Sequence, residues 1–165
     1  MLSALVADTP LGPITVVMNA QGVVATFSTD DPAGSEAFAR NLGATVGGEP
    51  RDRARVRREL DAYFDGRLRR FETLVDLSTL GSGFSRRVVE LTRTIPYGEL
   101  RTYGDMAAAA GSQRAARAAG GALARCPIEV FVPCHRVVSA GPSLGSYGGH
   151  DERRRFLLKL EGAIG

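Results

Sequence analysis

Over the first 28 residues apolar positions alternate or run together in three short stretches, 4–7, 14–18 and 23–27. Two groups of turn-forming residues separate them, Pro10-Leu11-Gly12-Pro13 and Asn19-Ala20-Gln21-Gly22, so the pattern predicts three strands in a hairpin or meander. The period then changes. Asp31 and Pro32 form a helix start, with Phe38 and Leu42 on one face before Gly43. Residues 47–50 read as a loop, and 51–65 as a charged amphipathic helix whose Val56, Leu60, Tyr63 and Phe64 recur at helical spacing. Residues 71–77 are apolar enough for one more strand.

Periodicity lapses between 78 and 83, where two glycines fall, and this divides the chain into an N-terminal α/β domain (1–77), a linker (78–83) and a mostly helical C-terminal domain (84–165). Phe84, Val88 and Leu91 mark a helix stopped by Ile95-Pro96-Tyr97-Gly98. Two short helices follow, 102–110 and 112–124, joined by Gly111, with Ser112 as the N-cap of the second. Helices joined so tightly predict a helix-turn-helix, a shape shared with αα-corners that never touch DNA. A last helix covers 153–160.

Composition narrows the class. The length supports one domain or two small ones, and the basic residues are nearly all arginine, with Lys159 the single lysine. A net charge of +3 and a pI near 9.2 suit an anionic partner without requiring one. Arg51, Arg53, Arg55, Arg57 and Arg58 read either as a nucleic-acid patch or as a solvated helix face. Two cysteines make no disulfide framework and suit a reducing cytosol. The first residues lack the basic start and apolar length of a signal peptide, and no segment is long enough to span a bilayer, so a cytoplasmic protein is expected.

Chemistry concentrates at residues 130–138, a β-branched run interrupted by Pro133, Cys134, His135 and Arg136. A neighbouring imidazole or cation lowers a thiol's pKa and makes the thiolate nucleophile, whereas a free cysteine at a strand end is often only buried packing. Adjacent strand residues face opposite ways, so Cys134 and His135 meet only if the backbone turns, which Pro133 favours. The second short helix is unusual in another respect. Ala115, Ala116, Ala118, Ala119, Gly120, Gly121 and Ala122 offer almost no side chain, and only Arg114 and Arg117 reach outward. Such a face cannot read base edges; it either enters the narrow minor groove or packs closely on another helix.

The order and spacing of several motifs carry a resemblance. Pro133-Cys134-His135-Arg136-Val137 resembles the acceptor-cysteine motif of the O6-alkylguanine-DNA alkyltransferases, the methylated-DNA–protein-cysteine methyltransferases. Ile95-Pro96-Tyr97-Gly98-Glu99, Thr102-Tyr103-Gly104, Ala115-Ala116-Arg117-Ala118, Gly120-Gly121-Ala122, Gly145-Ser146-Tyr147-Gly148-Gly149 and Leu157-Leu158-Lys159-Leu160-Glu161-Gly162 fall in the family's order, so the match runs from about Phe84 to the C-terminus. The resemblance implies a small ribonuclease H-like N-terminal domain and a winged-helix-like C-terminal one. It implies single-turnover transfer of an alkyl group from O6-alkylguanine, and O4-alkylthymine, to Cys134, without metal or organic cofactor. His135 would act on Cys134 through a water with Glu161 behind it, and Tyr103 would assist the leaving base. The same resemblance places Ala116, Ala118, Gly120, Arg114 and Tyr103 against double-stranded DNA in the minor groove, with Arg117 entering the stack as the nucleotide flips out. Tyr147, Gly148, Val137 and Arg154 would form the guanine pocket. Arg136 is expected to be a structural ion-pair partner. No membrane and no obligate protein partner is implied.

Two positions depart from the family. Cys126 stands where relatives carry an asparagine that braces the turn before the cysteine loop, and a thiol replaces few of an amide's hydrogen bonds. Backbone or water bonds would compensate, or Cys126 would pair with Cys134 in a disulfide that shuts the site. Gly148 stands where some relatives have a serine, with consequences for alkyl-group preference. The competing readings are an alkyltransferase-like protein that binds lesions without efficient repair, a Cys-His-Glu hydrolase, and a sequence-specific regulator using the helix-turn-helix.

Overall fold

The computed structural model describes residues 1–46 and 50–165, and the predicted loop at 47–50 lies, up to residue 49, outside the described residues. The chain divides into two compact units, Met1–Thr79 and Leu80–Gly165.

In the first unit, strands β1 (Leu2–Ala7), β2 (Ile14–Asn19) and β3 (Gly22–Ser28) form the expected antiparallel meander. Helix α1 (Pro32–Asn41) begins on Asp31, whose carboxylate accepts the N–H groups of Ala33 and Gly34 at 3.0 and 3.2 Å. Phe38 stacks on Phe27 with ring centroids 4.6 Å apart, at the edge of a core that includes Ala4, Val17, Val24, Ala25 and Ala39. Leu42 does not share that face. It is the C-cap and stands exposed, because Gly43, at φ 73°, reverses the chain into β4 (Ala44–Val46). β4 pairs parallel to β1 and completes the sheet order β3-β2-β1-β4.

Helix α2 (Pro50–Phe64) buries Val56, Leu60 and Tyr63. Arg55 meets Glu59 and Glu72 at 3.2 and 3.3 Å, and Arg57 donates to the Val6 carbonyl at 2.8 Å. These two arginines serve the unit's own surface, as a solvated helix face does. The strand expected at 71–77 is reduced to one parallel bridge, Val23 to Val75. Val23 is gripped from both sides, its N–H by Leu74 at 2.9 Å and its carbonyl by Asp76 at 2.8 Å, and the pairing goes no further.

A 3-10 turn, Ser78–Leu80, lies where the units divide. The second unit packs α3 (Phe84–Thr92), α4 (Tyr103–Ala109) and α5 (Ala116–Ala124) around Val88, Val89, Met106, Ala107, Ala119, Ala122 and Leu123, all buried. Helix α4 starts with a capping box: Thr102 Oγ1 accepts from the Asp105 N–H at 3.0 Å, and the Asp105 carboxylate accepts from the Thr102 N–H at 2.8 Å. Helix α5 starts later than expected. Ser112 is not its N-cap, because the Ser112 N–H returns to the Ala107 carbonyl and its own carbonyl accepts from Ala115, forming a separate turn. Arg114 therefore sits on that turn, not on the helix.

Strands β5 (Arg101–Thr102) and β6 (Val137–Val138) pair in parallel, a two-residue ladder too short for a hydrophobic pattern to announce. Helix α6 (Asp151–Leu160) begins two residues before the expected start. Among the described residues no helix is long and apolar enough to cross a membrane.

Candidate active site

The segment from Glu129 to Val137 is a tight series of backbone turns. Val130 holds φ 72°, a conformation costly for a β-branched residue. The Phe131 N–H bonds to the Glu129 carbonyl at 2.9 Å and the Cys134 N–H to the Val132 carbonyl at 2.8 Å. A 3-10 turn, Cys134–Arg136, follows Pro133 and runs into β6, which β5 fastens. Cys134, His135 and Arg136 are all buried by this folding-in, and His135 is fully so. Pro133 thus precedes a backbone turn, as expected.

Glu161, the C-cap of α6, is where three parts of the unit converge. Its Oε1 lies 2.8 Å from His135 Nε2 and accepts from Arg136 Nη2 at 2.9 Å. Its Oε2 accepts from Arg136 Nε at 2.8 Å and from the Gly98 N–H at 3.3 Å. Arg136 Nη1 reaches the Ile95 carbonyl at 2.6 Å, so one guanidinium ties the acceptor turn to both the α6 end and the turn after α3. This forked pairing satisfies charges that burial would otherwise penalise. A carboxylate at Nε2 selects the tautomer in which that nitrogen donates, leaving the lone pair on Nδ1 of the neutral ring.

Electrostatics favour the protonated form of the Cys134 thiol. The Cys134 thiol is pushed well above the ordinary thiol range, first by its hydrogen bond to Cys126, then by burial and by negative charge at Cys126 and Glu129. Cys126 moves the other way, its thiol lowered chiefly by the same hydrogen bond. The leading influence on Cys134 is thus the Cys126 thiol and not the neighbouring imidazole. Burial also holds His135 below the usual imidazole range, against the pull of Glu161. Both directions favour neutral side chains, not a preformed thiolate–imidazolium pair.

The glycine-rich loop supplies a second cluster. Arg154 is almost wholly buried, its guanidinium 5.2 Å from the Tyr147 ring centroid, 3.8 Å from Asp151 and bonded to the Gly145 carbonyl. Its charge is therefore turned inward, away from solvent phosphates. The Tyr147 N–H bonds to Asp151 at 2.6 Å, and burial raises the Tyr147 phenol well above its ordinary range. Gly145 stands at φ 78°, where any Cβ would collide with the Ser139 hydroxyl. Gly148, at φ 57°, is exposed with open space around it. Val137 is fully buried in β6.

Outside this cluster, α5 presents Arg117 and Ala118 to solvent, with Ala116 and Gly120 half-buried and Arg114 exposed on the preceding turn. Tyr103, first residue of α4, lies against Gly120, where an added Cβ would meet its ring at 3.7 Å. Sequence reading missed the supports behind Glu161. Gly98 has φ 79°, and a Cβ there would come within 2.9 Å of the Glu161 carbonyl. Tyr97 bonds the Leu160 carbonyl at 3.0 Å, and Arg136 lies 5.8 Å from its ring. A glycine closing a Pro-Tyr turn was the available signal, since such turns need φ above zero.

Comparison with known proteins agrees over both units. Residues 4–77 match the family described as "6-O-methylguanine DNA methyltransferase, ribonuclease-like domain", and residues 83–163 the one described as "6-O-methylguanine DNA methyltransferase, DNA binding domain". A methylated-DNA–protein-cysteine methyltransferase of Mycobacterium bovis is 39% identical over 93% of this chain and 88% of its own. The constitutive one of Bacillus subtilis is 36% identical over 94% and 92%. Among solved structures, the O6-methylguanine methyltransferase of Mycobacterium tuberculosis superposes with a TM-score of 0.81 at 36% identity, covering 99% of this chain and 94% of that one. A structure from the same organism, titled as a complex with DNA, gives 0.81 at 34% identity over 98% and 92%.

Proposed function

The chain belongs to the 6-O-methylguanine DNA methyltransferase family of DNA-repair alkyltransferases, and from that premise we propose that Cys134 takes the alkyl group from O6-alkylguanine, and from O4-alkylthymine, once per molecule. The observation that carries this reading is the buried Cys134–His135 turn closed on Glu161 at 2.8 Å. His135 Nδ1, through a water, takes the thiol proton, and Glu161 stabilises the imidazolium that results. The thiolate attacks the alkyl carbon as the carbon–O6 bond breaks, and the electron pair leaves with guanine. Tyr103 assists that departure by hydrogen bonding the base. The product at Cys134 is a thioether with no easy hydrolysis, so the molecule is spent.

Guanine O6 is inaccessible in a paired duplex, so the nucleotide must leave the stack. The small side chains of Ala116, Ala118 and Gly120 let α5 approach the minor groove, while Arg117 fills the vacated place and Arg114 meets backbone phosphate. Tyr147, Gly148, the Val137 carbonyl and Arg154 then frame the base. Arg154 does so from within, holding the Gly145 carbonyl and the Tyr147 ring in position.

The test is a count. Protein incubated with excess duplex bearing O6-methylguanine is expected to gain methyl groups until one per molecule is reached, and Cys134→Ser to gain none. Continued turnover, or no transfer despite tight lesion binding, would overturn the proposal; the second result would favour a damage-recognition protein.

A further inference from the structure

Cys126 is a thiol the mechanism does not use, yet it touches the one thiol the mechanism depends on. It follows α5 directly, its N–H bonded to the Leu123 carbonyl at 3.1 Å, and its sulfur lies 4.0 Å from the Ile128 carbonyl. The chain then folds back through the Val130 turn, and the eight-residue step returns Cys134 to within hydrogen-bond reach of Cys126. Both thiols are free, Cys134 buried and Cys126 only half-buried. Solvent oxidants therefore meet Cys126 first.

We propose that Cys126 and Cys134 form a peroxide-responsive dithiol that closes to a disulfide, reversibly masking the alkyl acceptor and sparing it from overoxidation. The inference rests on the proposed role of Cys134. In the first step the Cys126 thiolate attacks a peroxide oxygen, the O–O bond breaks, and Cys126 becomes a sulfenic acid as one water is released. In the second, the Cys134 thiolate attacks that sulfur, the S–S bond forms, and hydroxide leaves to be protonated as a second water. Two thiols lose two hydrogens to one hydrogen peroxide, and a cellular dithiol reductant restores them by exchange. Cys126 is suited to the first step because its proton is the more easily lost of the pair. The two thiols already interact across this loop, so the cross-link joins side chains that are neighbours in the fold. For a protein whose nucleophile is used only once, sulfinic acid at Cys134 would be a permanent loss, whereas a disulfide is recoverable.

Trypsin cleaves after Arg125 and Arg136, so both cysteines fall in one peptide, 126–136. After mild hydrogen peroxide treatment of the whole protein, that peptide is expected to weigh two hydrogens less and to resist iodoacetamide. Methyl transfer should fall with the cross-linked fraction and return with dithiothreitol. In Cys126→Ser and Cys126→Asn the cross-link should be absent and Cys134 should progress to sulfinic acid at the same peroxide dose. Free thiols, or a sulfenic acid confined to Cys134 in the unsubstituted protein, would overturn the proposal. Equal overoxidation of Cys134 with and without Cys126 would overturn its protective part. Methyl transfer by the reduced protein, measured alongside, separates the two readings: its absence sinks the repair role and leaves the cross-link result standing.

Discussion

The acceptor turn and helix α5 belong to one unit but are built on opposite principles. At the acceptor turn every side chain has a partner: His135 and Arg136 share Glu161, Arg136 also holds Ile95, and Gly98 adds a backbone N–H. Along α5 the useful property is absence, since alanine and glycine leave backbone near the surface and Arg117 stands out into solvent. Under the proposed function the first region draws its chemistry from over-determined geometry, and the second lets DNA approach closely without being read. Substitutions should therefore cost folding stability in the first and DNA affinity in the second.

The largest effect is expected from Glu161→Ala. It strands a buried guanidinium, a loss of roughly 3–5 kcal/mol, and frees the His135 ring. Urea unfolding should show the drop, and methyl transfer should fall with it; an unchanged midpoint would break the contrast at its strongest point. A glycine pair sharpens it next. Gly98→Ala must adopt φ 79° with its methyl pressed on the Glu161 carbonyl, costing roughly 1–3 kcal/mol. Gly120→Ala meets only an ordinary contact with Tyr103 and should gain about 0.5–1 kcal/mol of helix stability, while weakening duplex binding through the added methyl. Equal signs for the two in unfolding experiments would refute the division.

These contrasts also locate what sequence could reveal. The strands at 14–18 and 23–27, the α2 face and the backbone turn at Cys134–His135 were legible because periodicity, turn residues and rare residue types are local signals. Leu42 misled because its four-residue spacing from Phe38 imitates a helix face, and Ser112 because it imitates an N-cap; only the actual paths of Gly43 and of the Ala107–Ser112 turn reassign them. Glu161 was legible through the family resemblance alone. Its partners Gly98, His135 and Arg136 stand 25 or more residues away, and no local pattern encodes that meeting. The raised thiol of Cys134 was likewise hidden, since its leading cause is contact with Cys126.

Smaller effects follow on the DNA side and with pH. Arg117→Ala should leave stability within about 0.5 kcal/mol and weaken duplex binding at a nearly constant salt slope, whereas a slope lowered by about 1 would assign the side chain to a phosphate instead. A filter-binding titration at several salt concentrations separates the two. For His135 the folded pKa lies below the unfolded value of about 6.5. The unfolded chain therefore binds the proton more readily, so this contribution to stability is present above that value and is lost as pH falls through the folded pKa. Urea midpoints measured from neutral to mildly acidic pH should decline, and the decline should be smaller in His135→Gln. An identical profile in that variant would assign the loss to other groups.

The central claim is that Cys134, and not its hydrogen-bonded neighbour with the more acidic thiol, receives the alkyl group. Fragment-ion mass spectrometry of peptide 126–136, after reaction of the reduced protein with a duplex holding O6-methylguanine, tests it directly. The account predicts the methyl on Cys134 and none on Cys126. A methyl on Cys126, or an unmodified peptide after the lesion has been bound, would contradict it.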